Sequence, residues 1–137
     1  MIKPNYSSRG RNIVLIDNIN DIKAHDNGMK IVQKYIENIW ILHEKNDEKF
    51  KRFPFLNKIY KRKFDIRIWV LVKSFSPLTV YIFEEGYLRI SSSNYQLNSV
   101  SEKSHMSHLT NYSVNWKSKS TEQQESYLLL THFLEFL

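Results

Sequence analysis

The sequence contains no cysteine, and it has only three glycines and three prolines among 137 residues. Without cysteine the chain can form neither disulfides nor thiolate zinc sites, and the reducing cytoplasm is the simplest location for it. The small number of glycine and proline residues argues against a long disordered linker. The length therefore predicts one folded domain, or a piece of a larger one.

Long apolar runs are missing as well. The longest, residues 127–137, contains His132 and Glu135 and is too short to span a bilayer. The chain enters a polar motif directly after Met1, so we expect no targeting segment and no membrane partner.

Positive charge is the clearest compositional bias, with a net charge of +6. Most of it lies in a segment that we call the basic stripe, residues 43–63, where eight basic and three acidic side chains leave +5. The basic residues are Lys45, Lys49, Lys51, Arg52, Lys58, Lys61, Arg62 and Lys63, and the acidic ones are Glu44, Asp47 and Glu48. Such a stripe can bind nucleic acid, an anionic membrane or an acidic protein tail, and it can equally be a solvated loop.

Hydrophobic patterning predicts both strands and helices. We expect strands at 12–16, 30–36, 64–73, 78–84 and 87–91, the last two joined as a hairpin in which Gly86 adopts a positive φ. Helical expectations are a short helix within 18–26, a turn at 46–52 and a helix over 120–137, where Ser120 and Gln123 fit a capping box. Residues 38–62 otherwise read as an irregular excursion, and 92–107 as a loop.

Three charged residues share one face of the strand predicted at 64–73 and the residue before it. Side chains alternate along a strand, so Lys63, Asp65 and Arg67 point to one side while Phe64 and Ile66 point to the core. Charged groups beside apolar neighbours are costly unless they pair or meet a ligand. The triplet therefore predicts a phosphate-binding cleft or, with equal weight, an exposed sheet face with cross-strand ion pairs.

Short motifs occur in a defined order around this triplet. They are Lys3-Pro4, Ser7-Ser8-Arg9-Gly10-Arg11, Val32-Gln33-Lys34-Tyr35-Ile36, Lys63-Phe64-Asp65-Ile66-Arg67, Glu84-Glu85-Gly86-Tyr87-Leu88-Arg89 and His108-Leu109-Thr110-Asn111-Tyr112-Ser113. Together they resemble the nucleotide-binding half of tubulin tyrosine ligase-like enzymes, ATP-grasp ligases that join an amino acid to a protein carboxylate. The resemblance covers residues 3–115, with an insertion at 43–62 and a divergent, helical tail at 116–137. It implies a partial ATP-grasp fold of the α+β class, an antiparallel sheet with flanking helices.

The resemblance also implies roles for particular residues. Those expected to bind the cofactor are Lys3, Arg9, Gly10, Gln33, Lys34, Tyr35, Ile36, Lys63, Asp65, Thr110 and Asn111. Arg67 and Arg89 are the implied catalytic residues, and Arg9, Arg89 and Ser113 are the implied amino-acid ligands. Asn12 stands where the family usually has a second glycine, and asparagine tolerates left-handed backbone better than most residues.

ATP and Mg²⁺ are the implied cofactors, but the expected magnesium ligands are not found in this chain. Family members continue past the Thr-Asn-Tyr-Ser block to an aspartate and then to a glutamate and an asparagine that hold the metal. No such block follows Asn115, so we assign no metal ligand and expect little or no activity from this chain alone. His105 and His108 have the spacing of a metal pair, but without cysteine or a nearby acidic ligand we expect them to be loop residues.

The implied function is ATP-dependent ligation of an amino acid to a protein carboxylate through an acyl phosphate. By the same resemblance, the residues Thr110-Asn111-Tyr112-Ser113 favour glutamate as the added amino acid. The implied activity is then polyglutamylation of tubulin or another acidic protein tail. The implied location is the cytoplasm, cytoskeleton or cilium. The alternative is a non-catalytic basic module for microtubules or, less favoured, nucleic acid. If residues 43–62 are a retained intron, the basic stripe has no functional meaning.

Overall fold

A computed structural model gives the fold of the chain and describes residues 1–25, 28–97, 105–115 and 127–137. Its strands are β1 (Ile2–Pro4), β2 (Lys30–Val32), β3 (Arg62–Arg67), β4 (Val70–Phe75), β5 (Leu78–Ile82), β6 (Tyr87–Asn94) and β7 (Tyr127–Leu129). Its helices are α1 (Asp47–Arg52), α2 (Leu56–Ile59), α3 (His105–His108), α4 (Tyr112–Asn115) and α5 (Leu130–Leu134), with a 3₁₀ helix at Ile19–His25. The predicted α+β class is confirmed.

The strands pair in antiparallel sheets with the orders β1-β2, β3-β6-β7 and β4-β5. In the central sheet β6 lies between β3 and β7, and Asp65 stands directly opposite Arg89. Residues directly opposite each other share a face of the sheet. The register therefore brings two of the predicted site residues into contact.

The hydrophobic core lies between β6 and the segment that contains α1 and α2. Leu88 and Ile90 of β6 are fully buried, and so are Leu56 and Ile59 of α2. The cluster consists of Phe50, Leu56, Ile59, Leu88, Ile90, Leu128 and Phe133. Residues 43–62 therefore contribute to the core and are not a surface excursion.

Helix α1 begins where the sequence predicts a helical turn. The side chain of Asn46 caps the helix by accepting a hydrogen bond from the Lys49 backbone N–H at 3.0 Å. Asp47 and Glu48 occupy its first turn, and basic residues occupy its last, which complements the helix dipole. The prediction at 46–52 is confirmed, whereas α2 is missed because four residues are too few to show a helical period.

The continuous strand predicted at 64–73 is wrong. The chain pairs with β6 only up to Arg67, passes through Ile68 and Trp69, and then pairs with β5 as β4. The expected core face is lost beyond Phe64, since Ile66 is exposed although it still pairs with β6, and β4 has left the central sheet. Ile66, Ile68, Val70 and Val72 are each between 41% and 49% exposed.

The hairpin predicted between 78–84 and 87–91 is also wrong, since β5 pairs with β4 and β6 pairs with β3 and β7. Pro77 lies in the turn between β4 and β5. Gly86 does not have a positive φ; it is needed because a Cβ there would lie 2.8 Å from the Arg67 carbonyl oxygen. The glycine thus permits close approach at the start of β6.

Other elements differ from the predictions mainly in length. No strand forms at 12–16, where Val14 makes a single bridge to Ile2. The strand predicted at 30–36 is confirmed only as Lys30–Val32, and the short helix within 18–26 is the 3₁₀ helix. The loop predicted at 92–107 is wrong at its described ends, which belong to β6 and α3, while 98–104 lie outside the described residues.

The helix predicted over 120–137 is confirmed only at Leu130–Leu134. Residues Tyr127–Leu129 form a strand instead, because they pair with β6 and extend the central sheet. The proposed capping residues Ser120 and Gln123 lie outside the described part of the chain. No helix in that part is long and apolar enough to cross a membrane.

Candidate functional site

The Tyr35 side chain connects three of the sequence motifs. Lys63 Nζ on β3 lies 2.9 Å from Tyr35 Oη and 4.6 Å from the centre of its ring. The same hydroxyl lies 2.8 Å from His108 Nδ1 on α3. One hydroxyl therefore links the motifs at 33–36, 63–67 and 108–113.

This cluster is partly buried, and its ionisation reflects that. Burial lowers the pKa of Lys63; nearby Asp65 opposes the shift, and Lys3 adds to it. Burial, followed by the neighbouring Tyr95, raises the pKa of Tyr35 well above its ordinary value. Tyr35 is thus held as a neutral phenol beside an ammonium group.

A cavity of about 730 Å³ opens beside this cluster. Its polar lining comes from Asp17, Asn18, Gln33, Lys34, Tyr35, Glu37 and His108. The apolar lining comes mainly from Leu15, Ile16, Ile19, Ile22, Val32 and Leu97. A cleft that combines apolar walls with polar groups is typical of small-molecule and cofactor sites.

Two other residues of the predicted nucleotide site lie near the cavity without lining it. Lys3 Nζ donates a hydrogen bond to Gln33 Oε1 at 2.5 Å, because β1 and β2 are paired. Ile36 is 69% exposed. Lys3 is therefore placed at the rim, while Ile36 points away from the enclosed space.

The loop at 7–11 packs against the motif at 108–113. Gly10 has φ +77°, and a Cβ there would lie 2.6 Å from Asn111 Oδ1. Ser113 Oγ donates a hydrogen bond to the Arg9 carbonyl oxygen at 2.5 Å. Asn12 has φ +56°, which confirms that asparagine accepts left-handed backbone here. Four predicted residues separated by about a hundred positions thus meet at one place.

Asn115 fixes this motif to the central sheet, and the sequence reasoning missed it. Its Nδ2 donates to the carbonyl oxygens of Leu109 and Asn111, at 2.8 and 3.0 Å. Its Oδ1 accepts from the Ser92 backbone N–H at 2.8 Å and from Ser92 Oγ at 2.6 Å. A buried amide satisfied on both sides has no signature in sequence beyond being an asparagine.

Asp65 and Arg89 form an ion pair across β3 and β6. Arg89 Nε lies 3.2 and 3.1 Å from the two carboxylate oxygens, and Nη2 lies 2.5 Å from Oδ2. The alternative of a cross-strand ion pair is therefore correct for Asp65. Arg67 is exposed and makes no ion pair with any described residue.

A second cavity, of about 360 Å³, opens beside Arg89. Arg89 and Thr110 line it together with aromatic side chains. These are Trp69, Tyr87, Tyr112 and Tyr127. The predicted site is thus divided between two cavities, with Arg89 and Thr110 at the smaller one and Gln33, Lys34 and Tyr35 at the larger.

The described residues lack a cluster of acidic and histidine side chains. They contain no group of three or more histidine, aspartate and glutamate side chains that could hold a metal. The carboxylate of Asp65 is already paired with Arg89. His105 and His108 belong to α3, and His108 is buried against Tyr35, so the expectation that they are loop residues is wrong.

Comparison with known proteins identifies the family. The antiparallel α+β arrangement with these motifs is that of a partial ATP-grasp fold. The pattern of the Tubulin-tyrosine ligase family matches residues 1–135, and the chain belongs to this family.

Similar proteins include both glycylases and a polyglutamylase. Tubulin glycylase 3F of Tetrahymena thermophila is 42% identical over 117 residues, which are 84% of this chain and 12% of that protein. Tubulin glycylase 3E of the same organism is 40% identical over 142 residues, 100% of this chain and 9% of that protein. Tubulin polyglutamylase TTLL5 of Mus musculus is 37% identical over 118 residues, which are 86% of this chain and 8% of that protein. The chain spans about a tenth of the length of these relatives.

Proposed function

We propose that this chain forms the nucleotide-binding part of a ligase that uses ATP to join an amino acid to a carboxylate of tubulin. The observation that carries the proposal is the cavity of about 730 Å³ lined by Gln33, Lys34 and Tyr35. Tyr35 in turn contacts Lys63, so an apolar cleft for a base lies next to positive charge for phosphates. The glycylase and polyglutamylase relatives support tubulin as the acceptor.

ATP, when bound, supplies the phosphoryl group that activates the acceptor carboxylate. The residues of this chain have binding and orienting roles. Lys3 and Lys63 supply positive charge next to the cleft, and Gly10 lets the loop at 7–11 approach Asn111 without a side-chain clash. No step is assigned to a metal, because no group of three or more histidine, aspartate and glutamate side chains is found among the described residues.

Nucleotide binding is tested by calorimetric titration of the full chain with a non-hydrolysable ATP analogue. We expect binding by the wild type and at least about tenfold weaker binding by Lys63→Met, the loss typical of a hydrogen bond to a charged group. Lys73→Met is the matched control, since Lys73 is an exposed lysine on β4. A wild-type chain that does not bind the analogue, or equal losses in both variants, would contradict the proposal.

We further propose that the added amino acid is glutamate and that Arg89 binds it in the cavity of about 360 Å³. Arg89 uses Nε and Nη2 on Asp65, and a guanidinium has five N–H donors, so donors remain for a carboxylate. Ligand-observed NMR with the ATP analogue present should show glutamate bound more tightly than glycine, and lost in Arg89→Met. Tighter binding of glycine would instead make the protein a glycylase.

A specific observation favours a second function, a basic module that binds acidic protein tails. Ammonium and guanidinium groups of the basic stripe lie over aromatic rings, as in Lys45 over Phe50 at 5.8 Å and Arg52 over Phe53 at 5.1 Å. These contacts restrict the basic side chains, and because Lys45 and Arg52 are exposed they remain accessible to an acidic tail. Failure to bind the ATP analogue, combined with salt-sensitive tubulin binding that survives Lys63→Ala, would favour this function alone.

A further inference from the structure

We propose that His108 is a positioning residue for Lys63 and acts through the hydroxyl of Tyr35. The three side chains form one relay, in which Lys63 Nζ, Tyr35 Oη and His108 Nδ1 follow each other at 2.9 and 2.8 Å. The proposal deepens the proposed nucleotide site and rests on it. It gives a role to His108, which has none assigned in nucleotide binding. It also gives Tyr35 a role other than contact with the base.

The direction of the hydrogen bonds follows from the chemistry of the three groups. A lysine ammonium has only donors, so Tyr35 Oη must accept from Lys63. A phenol has one proton, for which His108 Nδ1 and the neighbouring Tyr95 hydroxyl compete. The relay assigns this proton to the bond with His108, so His108 Nδ1 carries a lone pair and the ring proton lies on Nε2.

The surroundings of His108 fix its ring in this orientation. The Tyr35 ring meets it edge-on with centroids 5.3 Å apart, and the Tyr95 ring meets it at 5.2 Å. His108 is 4% exposed, and Asn115 ties the following residues to β6 through Ser92. A rigid acceptor of this kind can hold the phenol, which in turn restricts the flexible lysine side chain.

Because the relay couples His108 to Lys63 through the Tyr35 hydroxyl, the proposal predicts non-additive variants. We expect His108→Leu to weaken binding of the non-hydrolysable ATP analogue about tenfold, the loss typical of a hydrogen bond in a charged network. In a Tyr35→Phe background the same substitution should have almost no further effect. His108→Asn should restore most of the affinity, because the asparagine side chain places an acceptor near the position of Nδ1.

Tyr60→Phe is the matched control. Tyr60 is also half-buried and also carries a lysine over its ring, Lys61 at 5.2 Å. Removing its hydroxyl should leave affinity for the analogue unchanged. Independent, multiplying losses for His108→Leu and Tyr35→Phe, or no rescue by asparagine, would indicate a merely structural role and overturn the proposal.

A spectroscopic readout separates failure of the relay from failure of the nucleotide site. In full-length chain with ¹⁵N-labelled histidine and no nucleotide, the His108 resonances should show protonated Nε2 and a hydrogen-bonded, unprotonated Nδ1. Tyr35→Phe should shift the Nδ1 signal, which the His108→Asn spectrum identifies by its absence. A proton on Nδ1 in the wild type would overturn the relay. Absence of analogue binding would overturn the nucleotide site and, with it, the positioning role.

Discussion

At the scale of single residues, the charged side chains of the candidate site are satisfied by partners far away in sequence. Lys63 meets Tyr35, 28 positions before it, and Asp65 meets Arg89, 24 positions after it. Alternation along a strand is a local property, and it predicts the same face for Lys63 and Asp65, but the register with β6 is irregular between Arg62 and Phe64. The identity of their partners depends on sheet register and helix packing, which local patterns do not encode. The motif resemblance therefore named the residues but not their contacts.

Lys63 should lower stability while it serves binding. Its pKa is lowered by burial, so the folded chain holds the proton less tightly than the unfolded chain does. Charged Lys63 thus costs stability below its folded-state pKa, and the cost disappears as the pH rises through that value to the ordinary lysine pKa. Urea unfolding of Lys63→Met should show at least wild-type stability at pH 7, with an advantage that shrinks towards pH 10 to 11, about the ordinary lysine range.

A contrary result would be a Lys63→Met variant that is clearly less stable at pH 7. The Tyr35 hydrogen bond would then outweigh the burial of the ammonium group. Lys73→Met again provides the control, since an exposed lysine should give no pH-dependent difference.

Gly10→Ala should reduce both stability and nucleotide affinity, for two separable reasons. Positive φ costs an alanine about 1 kcal/mol, and the new Cβ would lie 2.6 Å from Asn111 Oδ1. Gly28 isolates the first effect, because its φ is +87° but nothing lies within 4 Å of its Cβ position. We expect a larger loss of stability in urea from Gly10→Ala than from Gly28→Ala, and weaker binding of the ATP analogue only from Gly10→Ala. Equal affinities in the two variants would show that the contact with Asn111 does not matter.

At the scale of elements, the helices and strands that were predicted correctly are those that a short stretch of sequence specifies by itself. The cap at Asn46 and the mixed charges after it specify α1, and alternation specifies β3. The division of the chain at Ile68 and Trp69 was not predictable from periodicity, because the apolar pattern continues into β4 while the pairing partner changes. β7 was missed for a related reason. Its leucine-rich sequence also favours a helix, and pairing with the edge of β6 makes it a strand.

We predict that the segment with α1 and α2 is essential for folding. This is contrary to the idea that residues 43–62 are a retained intron without function. Leu56 is fully buried among Phe50, Ile59, Leu88 and other core residues. Leu56→Ala should reduce the free energy of unfolding by about 2–5 kcal/mol through lost burial and a residual cavity. Lys51→Ala, an exposed change in the preceding helix, should stay within about 0.5 kcal/mol of the wild type. Equal stability of both variants would mean that the segment does not support the core.

At the scale of the whole molecule, the basic residues around α1 and the candidate site lie on different parts of the chain, while Lys63 belongs to both the basic stripe and the site. The basic residues around α1 lie at the surface, and their contacts are with rings of the core and its margin, including Lys49 over Phe136 at 5.7 Å. The cavity proposed for the nucleotide is lined instead by the start of the 3₁₀ helix with the residues before it, by the end of β2 with the residues after it, and by Leu97 and His108. Strand β3 joins the two regions, since Arg62 begins it and Lys63 to Arg67 follow. An extended strand of six residues spans about 20 Å, so an acidic tail on the basic stripe lies within reach of Arg89.

This separation predicts that tail binding and nucleotide binding can be removed independently. Replacing Lys45, Lys49, Lys51 and Arg52 by glutamine should weaken binding of a glutamate-rich peptide and flatten its salt dependence, because fewer charges attract the peptide and fewer need screening. The same variant should bind the ATP analogue like the wild type, since none of the four residues lines either cavity. Lys63→Met should do the reverse. Fluorescence anisotropy of the peptide at several salt concentrations, alongside calorimetry with the analogue, measures both. If the glutamine variant loses both ligands together, the stripe and the cavity form one continuous site, and the acidic tail lies across the nucleotide cleft instead of beside it.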